Sequence, residues 1–353
     1  MKRLILIGNG FDLHHGHKTS YNDFIEYYLC NALNIYIKGG FFDDNLIRIG
    51  SEDIIHFDKE DVTKLERAFE IIESLKKKRD IIDFKSDLFN EIIFKVKTNK
   101  WVDIENQYFS YLRRYKSASN NNLDGIKKIN DDFDYLKDIF ENYITYTTKV
   151  HIPASSNKLL NLFCQEIKVD EIALTDKEIK EDQKPKELYF VNFNYTRTLE
   201  SHFDIINKQI PSTINYIHGE LNSKENPIIF GFGDEHDKHY LGFEDEQNDE
   251  LFRHIKSFKY SKTSNYHNLI KFVNSEEFQV FIIGHSCGLS DRTMLKEIFE
   301  HDKCKSIKIF YYAKSSTEND FTEKTYDISR HFSDKGLMRK KIVPFDKSKS
   351  LDS

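Results

Sequence analysis

The chain opens with MKRLILIGNGFDLHHGHKTSYNDF, Met1 to Phe24, and no other stretch limits the possible folds as sharply. Leu4, Ile5, Leu6 and Ile7 form a short continuous apolar run, the pattern of a strand buried on both faces. The run stops at Gly8-Asn9-Gly10, where glycine lets the backbone turn sharply and come close to a ligand. After a polar loop through Lys18, Thr19 or Ser20 is placed to cap a helix, with Asp23 at the capping-box distance from Ser20. Phe24, Ile25, Tyr28 and Leu29 then share one helical face. Strand, glycine turn and helix together make an entry to an α/β sheet that can hold a phosphate, because peptide N–H groups and the positive helix end converge there. Leu13 stands where G-x-G-x-x-G has its third glycine, so a purely structural turn is the alternative reading.

The 353 residues suffice for one large or two moderate domains, and an aromatic content of 14% excludes general disorder. A formal charge of -6 provides no bulk attraction for nucleic acid or anionic lipid, so neither is an expected partner. Cys30, Cys164, Cys287 and Cys304 are widely spaced, as reduced and mostly buried thiols would be. No run approaches the roughly 18 apolar residues of a membrane span, and Leu4 to Ile7 is too short for an export signal. A cytoplasmic location is the expectation.

From about Glu52 to Val150 helical spacing dominates, as in Leu65, Phe69, Ile72 and Leu75, and in Tyr135, Leu136, Ile139, Phe140 and Ile144. The cationic run Lys76 to Arg79 reads as a solvated helix face, and Asn120 to Asn122 as a loop. A helix is expected around Leu159 to Ile167, then a charged exposed linker from Lys168 to Lys186. Strand patterns follow at Leu188 to Phe193, Thr213 to Ile217, Ile228 to Phe230, Phe278 to Ile283 and Ile307 to Tyr312. Between the third and fourth of these lies an acidic loop, Asp234 to Glu250, read as solvated surface. The predicted fold is α/β, a Rossmann-like parallel sheet with an α-helical insertion. Its expected boundaries are 1–45 and 187–345 for the sheet domain, 46–186 for the insertion and linker, and 346–353 for a tail.

Ligands of such sheets bind beyond the carboxyl ends of the strands. Those positions hold Gly8, Asn9, Gly10 and Asp12; Asn194 in VNFNYT; His218-Gly219 in NYIHGEL; Gly231 and Gly233 in IIFGFGDE; and Gly284, Ser286 and Asp291 in FIIGHSCGLSD. The stretch GNGFDLHHGHKTSYNDF resembles the N-terminal signature of the AbiH family of bacterial abortive-infection proteins. FNYTRTLE, IHGEL and GHSCGLSD resemble its later blocks. These blocks are in turn similar, in order and spacing, to those of sirtuin-like NAD-binding domains.

The resemblance implies a sirtuin-like sheet domain that cleaves NAD as a phage-defence effector. It implies that Gly8 and Gly10 hold the pyrophosphate with Asn9 nearby, and that Gly284 and Ser286 hold the adenosine ribose. Asn194 would position the nicotinamide ribose and a water, and His218 would be the catalytic histidine. Asp12 and His15 belong to the AbiH signature and Asp291 to a later block, and all three join the expected cofactor-binding set. Thr196 departs from the Asp usual in the sirtuin-like motif, which leaves ribose recognition open. Constitutive NAD loss would kill a host, so gating by the helical region, by self-association into a homo-oligomer or by a phage-derived trigger is implied.

The residue types suit that chemistry. Breaking the bond between nicotinamide and ribose needs positioning and a base that is neutral near pH 7, which histidine supplies, and no metal is required. Three rival readings stand beside it. Gly284-His285-Ser286-Cys287-Gly288 spells the G-x-S-x-G of a serine-hydrolase elbow, with Asp302 and His331 as partners. Against it, Gly288, Leu289 and Ser290 intervene before the helix, which Ser290 or Asp291 is placed to cap. A sensor that binds NAD without turnover is the second rival, and a nuclease the third. His14, His15 and His17 read as an exposed loop rather than a metal site, and Trp101 to Glu105 as the charged start of a helix.

Overall fold

The computed structural model describes residues 1–50, 61–77, 81–99, 102–118, 123–148, 157–173, 181–315 and 317–351. Lys78, Arg79, Trp101 and Asn120 to Asn122 lie outside the described residues. The chain forms two compact units. One comprises Met1–His17, Thr145–Glu246 and Ile255–Ser353; the other comprises Lys18–Ile144 and Gln247–His254.

The first unit is built on a parallel sheet of six strands: β1 (Lys2–Ile7), β2 (Leu188–Asn192), β3 (Ser212–Tyr216), β4 (Phe278–Ile283), β5 (Cys304–Tyr311) and β6 (Lys349–Ser350). In space they run β3-β2-β1-β4-β5-β6, the order of doubly wound dinucleotide-binding sheets. The strand order reverses between β1 and β4, where Ile7 stands beside both Asn192 of β2 and Ile283 of β4. This is the Rossmann-like α/β architecture that the strand patterns predict. Residues 346–353, expected as a tail, supply β6, which pairs with Phe310 and Tyr311.

The apolar run of β1 is continuous because both its faces are covered. Leu4 and Leu6 pack with Val191, Val280 and Ile282 beneath the helices Asn265–Ser275 and Arg292–Glu300. Ile5 and Ile7 pack on the opposite face with Phe190, Phe281 and Ile283 beneath Asn157–Cys164 and Glu200–Gln209. Each such buried aliphatic side chain contributes about 1.5–3 kcal/mol relative to exposure.

Two further expectations fail in the body of this unit. Ile228 to Phe230 is no strand: its three side chains are buried, but Ile229 N–H donates to the His218 carbonyl at 2.7 Å instead of joining a ladder. An apolar triplet reports burial, and here burial comes from a loop packed against the sheet. Nor is the segment from Lys168 simply exposed. Glu171 is buried and bonds Lys308 of β5 and, at 3.0 Å, Gln279 of β4. Charged residues on strand interiors are thus matched by charge brought in from the connecting chain.

The second unit has helices Tyr21–Gly39, Leu65–Lys76, Asp87–Asn99 and Ile104–Ala118 and most of Leu123–Thr148. Ser20 caps the first of these in the expected box: its hydroxyl accepts from Asp23 N–H at 3.1 Å, and Asp23 accepts from Ser20 N–H at 3.1 Å. Asp103 accepts the Asn106 N–H at 3.0 Å, which fits the charged helix start read from the sequence. A small antiparallel sheet, Phe41–Asp43, Ile47–Gly50 and Ile82–Phe84, also forms here. Nothing in the helical periodicity announces it, because strands of three or four residues are too short to show alternation.

Candidate functional site

The glycine turn after β1 is shaped first by packing. Gly8 N–H donates to the Ile283 carbonyl at 3.1 Å and Gly10 N–H to the Gly284 carbonyl at 2.8 Å, so the exits of β1 and β4 are bonded to each other. A Cβ on Gly8 would fall 2.4 Å from His285 Cα, and one on Gly284 only 2.2 Å from Phe11 N. Gly284 also holds φ +68, a left-handed conformation that penalises any side chain. Gly284→Ala is therefore expected to destabilise the first unit by about 1–3 kcal/mol from backbone strain alone, read as a lower urea midpoint. Where a polar loop was expected, a short helix, Asn9–His14, starts immediately after Gly8.

Asn194, two residues past β2, donates from Nδ2 to the Gly8 carbonyl at 3.0 Å. Its amide thus ties the end of β2 to the end of β1. Nearby, the Thr196 hydroxyl donates to Asp12 Oδ2 at 2.7 Å, while Asp12 Oδ1 has no hydrogen-bond partner among the described residues. Asp12 is 1% exposed, and burial pushes its carboxyl up to about 6 against the hydrogen bonds of Thr196 and Thr198.

His15 lies with its Nδ1 2.8 Å from the Phe11 carbonyl and its Nε2 3.0 Å from His202 Nε2. A carbonyl only accepts, so His15 Nδ1 carries the proton, and in the neutral pair His202 Nε2 donates. His15 therefore meets a histidine that no sequence motif marks. His202 was missed because it sits on the inner side of an ordinary amphipathic helix.

The densest cluster surrounds His218, two residues beyond β3. His218 Nε2 and Lys256 Nζ each lie 2.9 Å from the same atom, Asp291 Oδ1. Tyr260 OH is 3.3 Å from His218 Nε2, and His285 Nε2 is 3.8 Å from Asp291 Oδ2. His285 accepts the Cys287 N–H on Nδ1 at 3.0 Å, which leaves its Nε2 as the protonated nitrogen. The rings of Phe193 and Tyr195 flank His218 at 5.0 and 6.4 Å.

These groups are all buried: His218 is 4% exposed, Asp291 6% and Lys256 0%. Burial, then the Lys256 cation, push the His218 imidazole below its usual range against the pull of Asp291. Burial alone would raise the Asp291 carboxyl, but Lys256 and His218 hold it well below the usual carboxylate range. Asp291 stands at the cap position of helix Arg292–Glu300, as expected, yet makes no side-chain cap bond because its carboxylate is turned inward. Lys256, Tyr260 and His285 were not legible as site residues, since their role depends on the short helix Lys256–Tyr260 meeting the segments that follow β3 and β4.

The geometry does not assemble the serine-hydrolase triad. Ser286 is exposed, and His331 is buried with its Nε2 donating to the Cys287 carbonyl at 2.7 Å. Asp234, first residue of the expected solvated loop, is also buried, at 3.1 Å from Arg292.

Burial holds His202, His285 and His331 down to about 4, about 3 and about 4. Unfolded histidines take up protons near pH 6.5 (about), so from about 6.5 down to about 4 the unfolded chain binds more protons than the fold. Stability should fall as pH is lowered through that window. Asp12 works in the opposite direction between about pH 4 and about 6, because its folded carboxyl binds its proton more readily than an unfolded one. Burial also raises Asp132, Asp234 and Asp327, but His218 and His301 are lowered as well and Asp291 and Glu300 are held below the usual carboxylate range, so the urea midpoint is expected to drop between about pH 7 and about pH 4.5. A midpoint that rises instead would contradict neutral burial of these rings.

Six parallel strands in doubly wound order, with polar side chains gathered beyond their carboxyl ends, define a Rossmann-like α/β protein. Residues 4–313 match the family model described as bacteriophage abortive infection AbiH, and the chain belongs to that family, which indicates a role in phage abortive infection. No curated protein matches it. Among the described residues, no helix is long and apolar enough to cross a membrane.

Proposed function

We propose that the first unit binds NAD beyond the carboxyl ends of β1 to β4 and cleaves it to nicotinamide and ADP-ribose, with His218 as base and Asn194 positioning ribose or water. The observation that carries this reading is the His218–Asp291 bond of 2.9 Å, which orients an imidazole at the same sheet edge as Gly8, Asn194 and Gly284. The choice of NAD rests on the sirtuin-like resemblance of the motif blocks. Gly8, Asn9, Gly10, Asp12, His15, Gly284, Ser286 and Asp291 remain the proposed cofactor-binding set. Cytoplasmic action and control by a phage-derived trigger or self-association belong to the same proposal.

The reaction requires movement. His218 is buried, its Nε2 is bonded to Asp291, and the Phe193 backbone lies against the ring. A dinucleotide reaches the ring only when residues around Phe193 and Tyr260 shift, and that shift also frees a nitrogen to take a proton. The same closure favours one second reading, a sensor that binds NAD without turnover.

Chromatography of NAD incubated with the purified protein tests both. Nicotinamide release supports hydrolysis, and saturable binding without release supports the sensor. Neither release nor binding, with phage lysate also added, would remove NAD from consideration.

A further inference from the structure

Asp291 presents one oxygen to two cation-capable groups. Lys256 is completely buried, its backbone N–H donates to the Phe232 carbonyl at 2.9 Å, and its Nζ reaches Asp291 Oδ1 at the distance at which His218 Nε2 reaches it. The other groups facing this centre are Tyr260 OH, the Phe193 backbone and, across the carboxylate, His285. Neutral His285 directs an N–H toward Asp291 Oδ2, and Tyr260 brings no formal charge while its phenol is protonated.

A buried cluster with one carboxylate tolerates one cation, because a second would be uncompensated charge away from water. Either Lys256 or His218 holds that place. If it is Lys256, the imidazole is neutral, with its one proton on the Nε2 that faces the carboxylate, and Nδ1 is the nitrogen that can accept another. If it is His218, the imidazolium is already protonated and cannot serve as a base.

We propose that Lys256 is the positioning residue that supplies the counter-charge to Asp291 and thereby keeps His218 neutral. This rests on the reading of His218 as the base, but it does not require NAD as the substrate. Lys256→Met should hand the compensating charge to His218, which would then stay protonated to higher pH. Lys256→Arg keeps a cation and should largely restore the wild-type behaviour.

The test is a pH titration of ring-carbon-labelled histidine by NMR in the full chain, with the His218 signal assigned by its loss in His218→Gln. In Lys256→Met the His218 midpoint is expected to move up by about one pH unit or more, and in Lys256→Arg to stay near wild type. An unchanged midpoint in a folded Lys256→Met protein would overturn the inference. So would a wild-type His218 that is already an imidazolium at about pH 7, a measurement needing no variant at Lys256.

Nicotinamide release from NAD provides the second readout, with the acidic limb of its pH profile shifting upward in Lys256→Met. A midpoint that shifts in a protein with no NAD turnover would uphold the role of Lys256 and refute the NAD reading. Turnover by the wild type with a midpoint indifferent to Lys256→Met would do the reverse.

Discussion

Replacing His218 by alanine is expected to lower the rate of nicotinamide release from NAD by about 10²- to 10⁴-fold, the usual contribution of a positioned general base. The imidazole is a group that can take up and release a proton, and it has a carboxylate to orient it, Asp291 at 2.9 Å. Loss of the ring should act on kcat more than on KM, because proton transfer is realised only in the transition state. His218→Gln should show the same rate loss with less disturbance of packing against Phe193, whose ring lies 5.0 Å away. Both variants need a melting curve beside the rate. A folded His218→Gln protein that releases nicotinamide at the wild-type rate would end the assignment.

The largest expected effect on stability is that of Asp291→Ala. Lys256 is 0% exposed and its ammonium has Asp291 within 2.9 Å, so removing the carboxylate strands a cation in the interior. Breaking a buried pair from one side costs about 3–5 kcal/mol. Removing both charges together, as Asp291→Ala with Lys256→Met, should recover much of that loss, because the stranded charge disappears with its partner. Urea titrations of the two single variants and the double variant form the cycle. A double variant no more stable than Asp291→Ala would mean that the cost lies in the lost shape and hydrogen bonds of the carboxylate and not in the lysine's charge.

Much of this fold is written locally. Leu4 to Ile7 reads as a strand covered on both faces and proves to be β1, whose alternate residues feed two separate cores. Ser20 and Asp23 mark a helix start by the spacing that places a hydroxyl and a carboxylate opposite free N–H groups. Phe278 to Ile283 is read to the residue as β4, because apolar β-branched and aromatic residues broken only by Gln279 have few other uses. Where the local signal serves two outcomes the sequence misleads, as at Ile228 to Phe230, which is buried without pairing.

The sequence by itself therefore determined strands β1 to β5 of the sheet, the class of fold and, through its motif blocks, the AbiH family. It also placed Gly8, Asn194, His218 and Gly284 just beyond strand ends, since that follows from where each apolar run stops, and Asp291 at the start of the helix after β4. Only the tertiary structure decided which of these side chains meet. Asn194 turns to the Gly8 carbonyl, Asp12 to Thr196, and His218 to an Asp291 that it shares with Lys256. The reason is physical: periodicity records which face of an element is buried, whereas a polar cluster is a matter of distance between loops far apart in the chain. A buried lysine such as Lys256 leaves no trace in its own neighbourhood, because the carboxylate that makes its burial tolerable is 35 residues away.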